Sequence, residues 1–190
     1  IFKDSNFALV ATGLFAFDFM HFTQTRIATI DVYAVFFILC MYYYMYQYIT
    51  MNFFVDGLKR TLRPLALAGI FFGVGAACKW TCIYAGMGLA VLLFLSLAAR
   101  YLEYDRAYKT GTEEEREKVA CFWPNVWKTV GFCCVFYILV PVTVYFLSYV
   151  PYYVYAAGEQ PGYGPKGMLD TFFHYQDFMY TYHSTLNATH

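Results

Sequence analysis

The sequence is short of charged residues. Only 14% of its 190 residues are Asp, Glu, Lys or Arg, and 60% are hydrophobic, against roughly a quarter and a half in an average soluble domain. Thirteen basic residues balance thirteen acidic ones, so the net charge is zero and no basic surplus is available to neutralise a phosphate backbone. The composition therefore argues against an ordinary soluble globule and against a nucleic-acid partner.

Charge is absent altogether from three long windows, residues 32–55, 80–99 and 129–158. A helix needs about 20 apolar residues to cross the hydrocarbon core of a bilayer, so each window is long enough. Two shorter apolar stretches, residues 5–17 and 64–78, reach the length of a span only if each includes the polar residue at its end, Asp18 or Lys79. We divide residues 64–99 near Lys79 because one helix of that length would measure about 54 Å, nearly twice the core thickness. The predicted spans are therefore about 5–22, 30–50, 64–79, 81–99 and 129–150.

This pattern predicts an all-α integral membrane protein, a polytopic bundle of about five transmembrane helices over residues 1–156. Residues 100–128 form a cytoplasmic loop, whose charged run at 113–118 is typical of a solvated helix with local ion pairs. Residues 157–190 form an extracytoplasmic loop with an amphipathic helix lying at the outer interface. Its apolar face is predicted to carry Leu169, Phe172, Phe173, Gln176, Met179, Tyr180 and His183.

Basic residues favour the cytoplasmic ends of spans, which gives an independent test of orientation. With a cytoplasmic start, ten basic residues lie inside and three, Arg26, Lys79 and Lys166, lie outside. We therefore expect a multi-pass protein of the cell membrane with the N-terminal end cytoplasmic and the C-terminal end extracytoplasmic. All four histidines then fall on the outer side.

Small and sulfur-containing residues also cluster. Gly69, Gly73 and Gly75 lack the Lys-Ser/Thr of a phosphate loop and are better explained by close helix approach. Cys78 and Cys82 share a helical face, but no other Cys or His lies near them in sequence, so packing is favoured over a zinc site.

Ionisable residues near the outer ends of the spans raise a functional question, since charge at membrane depth is costly. Asp18 and His21 share a helical face, Arg26 and Asp31 bracket the first hairpin, and Lys79 ends the third span. In a purely structural role Lys79 snorkels and Arg26 pairs with Asp31 or Asp18. Alternatively, the two cations hold an anionic head group.

Three motifs in this chain resemble those of one enzyme family. FDFMHFTQTRIATID at residues 17–31 and CKWT at 78–81 are similar to a membrane hairpin and a Lys-Trp-Thr motif of the protein O-mannosyltransferases. The short loop after Val150 is closer to bacterial members. The final helix repeats the family spacing with Gln176, Met179, Tyr182, His183, Leu186 and His190.

The resemblance implies a GT-C type membrane glycosyltransferase that transfers mannose from a polyprenyl-phosphate (dolichyl-type) donor to Ser or Thr hydroxyls of proteins at the outer face. The family places its catalytic carboxylate in an outer loop ahead of these motifs. We therefore expect the chain to be a central fragment of a longer protein that is inactive alone.

The implied reaction needs a base for the hydroxyl proton and positive charge for the departing phosphate. Arg26 and Lys79 are the candidates for binding the donor phosphate, because Arg offers bidentate donors and Lys a point charge. The scheme needs no metal, and no cofactor is expected beyond the lipid-linked sugar substrate. Further outer-site candidates are Asp18, His21, Asp31, Trp80, Gln176, Tyr182, His183 and His190.

Three alternatives remain open. Another lipid-phosphate-sugar glycosyltransferase could modify a lipid or a glycan with the same donor chemistry. A membrane transporter is expected to show a polar path at the midplane, whereas the ionisable residues here gather at the outer ends. A purely structural membrane scaffold explains the aromatic residues but leaves the ordered motifs to coincidence.

Overall fold

The computed structural model describes residues 4–27, 30–159 and 167–185. Every regular element among these residues is helical, which confirms the predicted all-α class. In chain order the helices are α1 Ser5–Ala16, α2 Phe19–Arg26, α3 Asp31–Thr50, α4 Leu58–Cys78, α5 Thr81–Thr110, α6 Glu113–Val119, α7 Phe122–Cys134, α8 Val140–Leu147, α9 Val150–Glu159 and α10 Met168–Thr185. A π-helical turn, Val135–Leu139, joins α7 to α8.

Length and composition make this a multi-pass membrane protein. Four helical stretches of the described chain are long and apolar enough to cross a bilayer: Asp31–Thr50, Leu58–Cys78, Thr81–Thr110 and Glu113–Tyr155. Ser5–Ala16 is a shorter apolar helix. Large apolar side chains such as Leu14, Phe36 and Phe94 are exposed on the bundle surface, where a bilayer would cover them.

The helix bounds differ from the predicted spans in three places. The stretch 5–22 is broken between α1 and α2, where Phe17 ends the first helix and the Asp18 carbonyl accepts the Phe22 N–H. Helix α4 begins at Leu58 and contains Pro64, which the prediction had placed at its start. Helix α5 continues to Thr110 and is therefore about 45 Å long. The first third of the predicted loop 100–128 is thus a continuation of α5.

The core lies where α3, α4 and α5 meet, and α4 packs most extensively on α3. Its fully buried side chains include Met41, Tyr48, Leu65 and Leu89. Burying such side chains from separate helices fixes the three spans against one another.

Two glycines of α4 allow the last span to approach closely. A Cβ on Gly69 would lie 2.6 Å from the Phe136 carbonyl oxygen, and one on Gly73 would lie 3.0 Å from the Pro141 Cα. Both neighbouring atoms belong to the backbone. The interpretation of the glycine cluster as a close-approach surface is therefore confirmed.

Polar contacts at the two ends of α3 bind it to its neighbours. At its first residue, Asp31 forms an ion pair with Lys79 at the end of α4. Beyond its other end, the Met51 carbonyl accepts a hydrogen bond from the buried Arg100 guanidinium of α5. Asn52 adds a 2.9 Å bond to Glu103. Since 20 helical residues span about 30 Å, these contacts lie at opposite ends of the bundle.

The charged run 113–118 folds as the short helix α6, as predicted. Thr112 and Glu115 form a reciprocal capping box at its start. Its local ion pairs join Arg116 to Glu113 at 3.2 Å and Lys118 to Glu114 at 2.9 Å.

Helix α10 packs through a face that only partly matches the predicted one. Of the residues on the predicted apolar face, Phe172, Gln176 and Met179 are half-buried, whereas Leu169, Phe173 and Tyr180 are more than 60% exposed. The packed face instead includes Thr171, which is buried and donates to the Gly167 carbonyl. The sequence pattern placed the predicted face at the membrane interface and not against the bundle, and that placement stays a prediction.

Candidate functional site

A sharp turn without glycine or proline joins α4 to α5. Lys79 adopts an extended backbone (φ −157°, ψ 135°), and its N–H donates to the Gly75 carbonyl at 2.9 Å. The Lys79 carbonyl then accepts the Cys82 N–H at 3.0 Å, which starts the next helix. One extended residue therefore reverses the chain at the point where the length argument requires a break.

The same turn holds a cation in place. The Lys79 ammonium pairs with the carboxylate of Asp31, and each side chain remains about a third exposed. Asp31 is the first residue of α3, where the positive end of the helix macrodipole stabilises a carboxylate. Asp31 thus orients Lys79 without burying it. The buried thiol of Cys82 lies directly behind, 3.7 Å from the Ala34 carbonyl.

A cavity of about 860 Å³ opens in front of this turn. Its walls come from four places in the chain: Ile30 before α3, the α4–α5 turn with the helix ends beside it, helices α8 and α9 with the residues between them, and α10. Polar and charged lining groups are Lys79, Thr81 and Ser148, and the aromatic lining groups are Trp80, Tyr84, Tyr145, Tyr149, Tyr152, Tyr175 and Tyr180. Aromatic faces with phenol hydroxyls suit a ligand that is part ring and part polar, such as a sugar.

A hydrogen-bonded cluster joins three of these parts, the α4–α5 turn, α8 with the residues after it, and α10. The Trp80 indole N–H donates to the Tyr145 hydroxyl at 3.0 Å, and this hydroxyl donates to the Gln176 side-chain carbonyl at 3.1 Å. The Gln176 amide in turn donates to the Tyr149 hydroxyl at 2.9 Å. Tyr152 and Tyr175 form a second phenol contact between α9 and α10.

An apolar groove of about 620 Å³ adjoins the cavity. The two share Ala76, Trp80 and Tyr145 as a common wall. The groove is lined otherwise by side chains such as Phe72, Ile83 and Phe146. The cavity that Lys79 lines and the apolar groove are therefore adjacent.

The structure brings together only some of the predicted site residues. Lys79 and Trp80 line the cavity, Asp31 reaches it through Lys79, and Gln176 reaches it through the tyrosines. Tyr182 lies further along α10, where its ring stacks with Phe178 at 6.4 Å.

Arg26 is placed differently from Lys79. Its guanidinium lies over the Phe22 ring of its own helix, 4.5 Å from the centroid. The structural alternative paired Arg26 with Asp31 or Asp18, and the structure pairs Asp31 with Lys79. Asp18 sits at the α1–α2 break. His190 and the side chains of His21 and His183 lie outside the described residues.

Sequence reasoning missed the tyrosines of the last span that line one wall of the cavity. Tyr145, Tyr149 and Tyr152 follow one another at spacings of four and three residues, so they share one helical face. This spacing could have predicted that the three tyrosines face one common surface. It was indistinguishable from a lipid-facing aromatic belt, because the residues that it contacts are distant in sequence.

Comparison with known proteins identifies the chain at the level of a family. A family model described as dolichyl-phosphate-mannose-protein mannosyltransferase matches residues 1–154. Neither the curated proteins nor the solved structures contain a match. The matched region includes the motif at residues 17–31, the α4–α5 turn and the tyrosines of α8 and α9.

Proposed function

Because the chain belongs to the dolichyl-phosphate-mannose-protein mannosyltransferase family, we propose that it transfers mannose from polyprenyl-phosphate mannose to Ser or Thr hydroxyls of proteins at the outer face of the cell membrane. The family is a glycosyltransferase family, which agrees with the resemblance in the motifs. The donor, the acceptor and the orientation, with the N-terminal end cytoplasmic, belong to the proposal.

The observation that carries the proposal is that Lys79 lines the aromatic cavity while the next residue, Trp80, lines both this cavity and the apolar groove. The Lys79 ammonium lies at the aromatic cavity, and the apolar groove begins behind the adjacent Trp80. A lipid-linked sugar phosphate has the same order of parts: a ring, an anionic phosphate and a long hydrocarbon. In this arrangement the sugar occupies the cavity, the phosphate meets Lys79 and the lipid follows the groove.

Transfer would then proceed by direct displacement. The acceptor hydroxyl oxygen attacks the anomeric carbon, the bond from that carbon to the phosphate oxygen breaks, and the bonding electrons leave with the phosphate. A single displacement inverts the anomeric carbon. Lys79 stabilises the negative charge on the leaving phosphate, and a carboxylate base takes the hydroxyl proton.

The remaining predicted residues take supporting places in this proposal. Arg26 is the second cation offered to the phosphate, and its bidentate fork suits that group. Asp31 orients Lys79, and Trp80 and Gln176 shape the cavity. Asp18, His21, Tyr182, His183 and His190 stay predictions for the outer site.

The test separates a phosphate-binding role of Lys79 from a structural one. Full-length protein in membranes is assayed with limiting polyprenyl-phosphate mannose and a Ser/Thr acceptor peptide. Lys79→Met should lower transfer about 10- to 100-fold, the worth of a charge-assisted hydrogen bond. Lys59→Met, an exposed lysine at the start of α4, is the matched control and should stay within twofold of wild type.

A double variant decides between the two roles. Lys79→Met alone leaves the Asp31 carboxylate unpaired, whereas Asp31→Asn with Lys79→Met removes both charges. If Lys79 binds the phosphate, the double variant regains thermal stability but not transfer. Wild-type transfer by the double variant would show that the ion pair is only structural. Mannose incorporated into lipid or glycan with no peptide present would favour the alternative acceptor classes.

A further inference from the structure

The phenol hydroxyl of Tyr145 lies at the centre of the hydrogen-bonded cluster beside the cavity. Three groups lie within hydrogen-bond distance of it: the Trp80 indole nitrogen at 3.0 Å, the Gln176 carbonyl oxygen at 3.1 Å and the Tyr149 hydroxyl at 3.3 Å. These groups come from the α4–α5 turn, from α10 and from the residues that follow α8.

The chemistry of the partners fixes the direction of every bond. An indole N–H can only donate and an amide oxygen can only accept. Tyr145 must therefore accept from Trp80 and give its one proton to Gln176, which leaves Tyr149 as the donor in the contact between the two phenols. Tyr149 is then free to accept from the Gln176 amide at 2.9 Å. Tyr145 has one proton and two lone pairs, and all three are used.

Burial supports a structural constraint here rather than a loose surface contact. Tyr145, Tyr149 and Gln176 are each half-buried. The Tyr145 and Tyr149 rings both pack edge-on against Phe172 of α10, with centroids 5.8 and 5.2 Å away. The ring contacts hold α10 against the bundle. The hydrogen bonds of the hydroxyls to Gln176 restrict sliding of α10 along its axis and rotation about it.

We propose that Tyr145 is a positioning residue for sugar transfer, whose hydroxyl ties the Lys79–Trp80 turn to α10 and so sets the width of the cavity. Trp80 directly follows Lys79, so a shift of the indole moves the backbone that carries the ammonium. Tyr149 completes the ring of bonds through Gln176. The kinetic part of this inference rests on the proposed function.

The first measurement is kinetic and uses full-length protein in membranes. Tyr145→Phe keeps the ring and removes only the hydroxyl, so it should raise the KM for polyprenyl-phosphate mannose by about threefold to tenfold, the worth of one net hydrogen bond. In a Trp80→Phe background the same change should have a clearly smaller effect, because the indole donor is already gone. Tyr43→Phe, on the exposed surface of α3, is the control and should stay within twofold.

The second measurement needs no substrate. Hydrogen exchange of the α10 amides should be faster in Tyr145→Phe than in wild type or Tyr43→Phe, while the apparent melting temperature stays within a few degrees. Unchanged exchange in α10 would overturn the inference, and so would a KM effect that simply multiplies with that of Trp80→Phe. If wild-type protein transfers no mannose, the proposed function fails, and the exchange result alone still decides whether Tyr145 positions α10.

Discussion

Replacing Gly69 by alanine is the sharpest test of how the last span meets α4. The added Cβ would lie 2.6 Å from the Phe136 carbonyl oxygen and 3.0 Å from the Phe136 Cβ. Because the nearest atom belongs to the backbone, the clash cannot be relieved by rotating a side chain. Overpacking of this kind costs about 1–3 kcal/mol.

Gly131→Ala in the last span is the matched control, because alanine is expected to stabilise the protein there and to destabilise it at Gly69. A Cβ on Gly131 of α7 would meet nothing within 4 Å, so Gly131→Ala should gain the roughly 0.5–1 kcal/mol that alanine is worth over glycine in a helix. Because both glycines lie inside helices, this gain is common to the two variants, which should therefore differ by the overpacking cost of about 1–3 kcal/mol in free energy of unfolding.

Thermal unfolding of the detergent-purified full-length protein measures this difference. Gly69→Ala should melt below wild type and Gly131→Ala at or above it. Gly73→Ala, whose Cβ would lie 3.0 Å from the Pro141 Cα, should fall between them. If Gly69→Ala melts as high as Gly131→Ala, the close approach of α4 to the last span is wrong.

Three further predictions concern the site and the topology. Arg26→Lys should keep the fold but weaken transfer at limiting donor by about threefold to tenfold, because the bidentate fork is lost; unchanged transfer would remove Arg26 from the phosphate site. His183→Ala should lower transfer while His174→Ala, the control on the same helix, stays near wild type, and equal losses in an activity assay would reduce α10 to a packing element. Single cysteines at positions 114 and 162 of a cysteine-free full-length protein should react with a membrane-impermeant thiol reagent from opposite faces of the membrane, position 162 from outside. Labelling of both positions from the same face would contradict the predicted orientation.

Local patterns were sufficient for the parts of the fold that depend on neighbours in sequence. Uncharged runs predicted the long helices, and the charged run predicted α6 with its pairs. A length argument predicted a break near Lys79, although no turn-forming residue marks it. In each case the deciding interactions lie within a few residues of the chain.

The site depended on contacts that no local pattern contains. The pairing of Lys79 with Asp31 joins residues 48 apart, and a sequence offers no way to choose it over the nearer Arg26. The link from Tyr145 to Gln176 crosses 31 residues. The tyrosine stripe was visible, but only its neighbours show that it faces a cavity and not the lipid.

The π-helical turn Val135–Leu139 also fixes a relation between the two halves of the last span. The Val140 N–H bonds back to Val135, five residues away, and Pro141 has no N–H to offer in the next position. Within this turn Phe136 packs against Gly69, and after it Tyr145 lines the cavity. Each residue of an α-helix advances the chain by about 100°. The i→i+5 turn holds one residue more than an α-helical turn, so a deletion inside it is absorbed, whereas a deletion between Val140 and Tyr145 would swing Tyr145 by about that angle while leaving hydropathy unchanged. The direction in which Tyr145 points is therefore set by the number of residues that separate it from the π-helical turn.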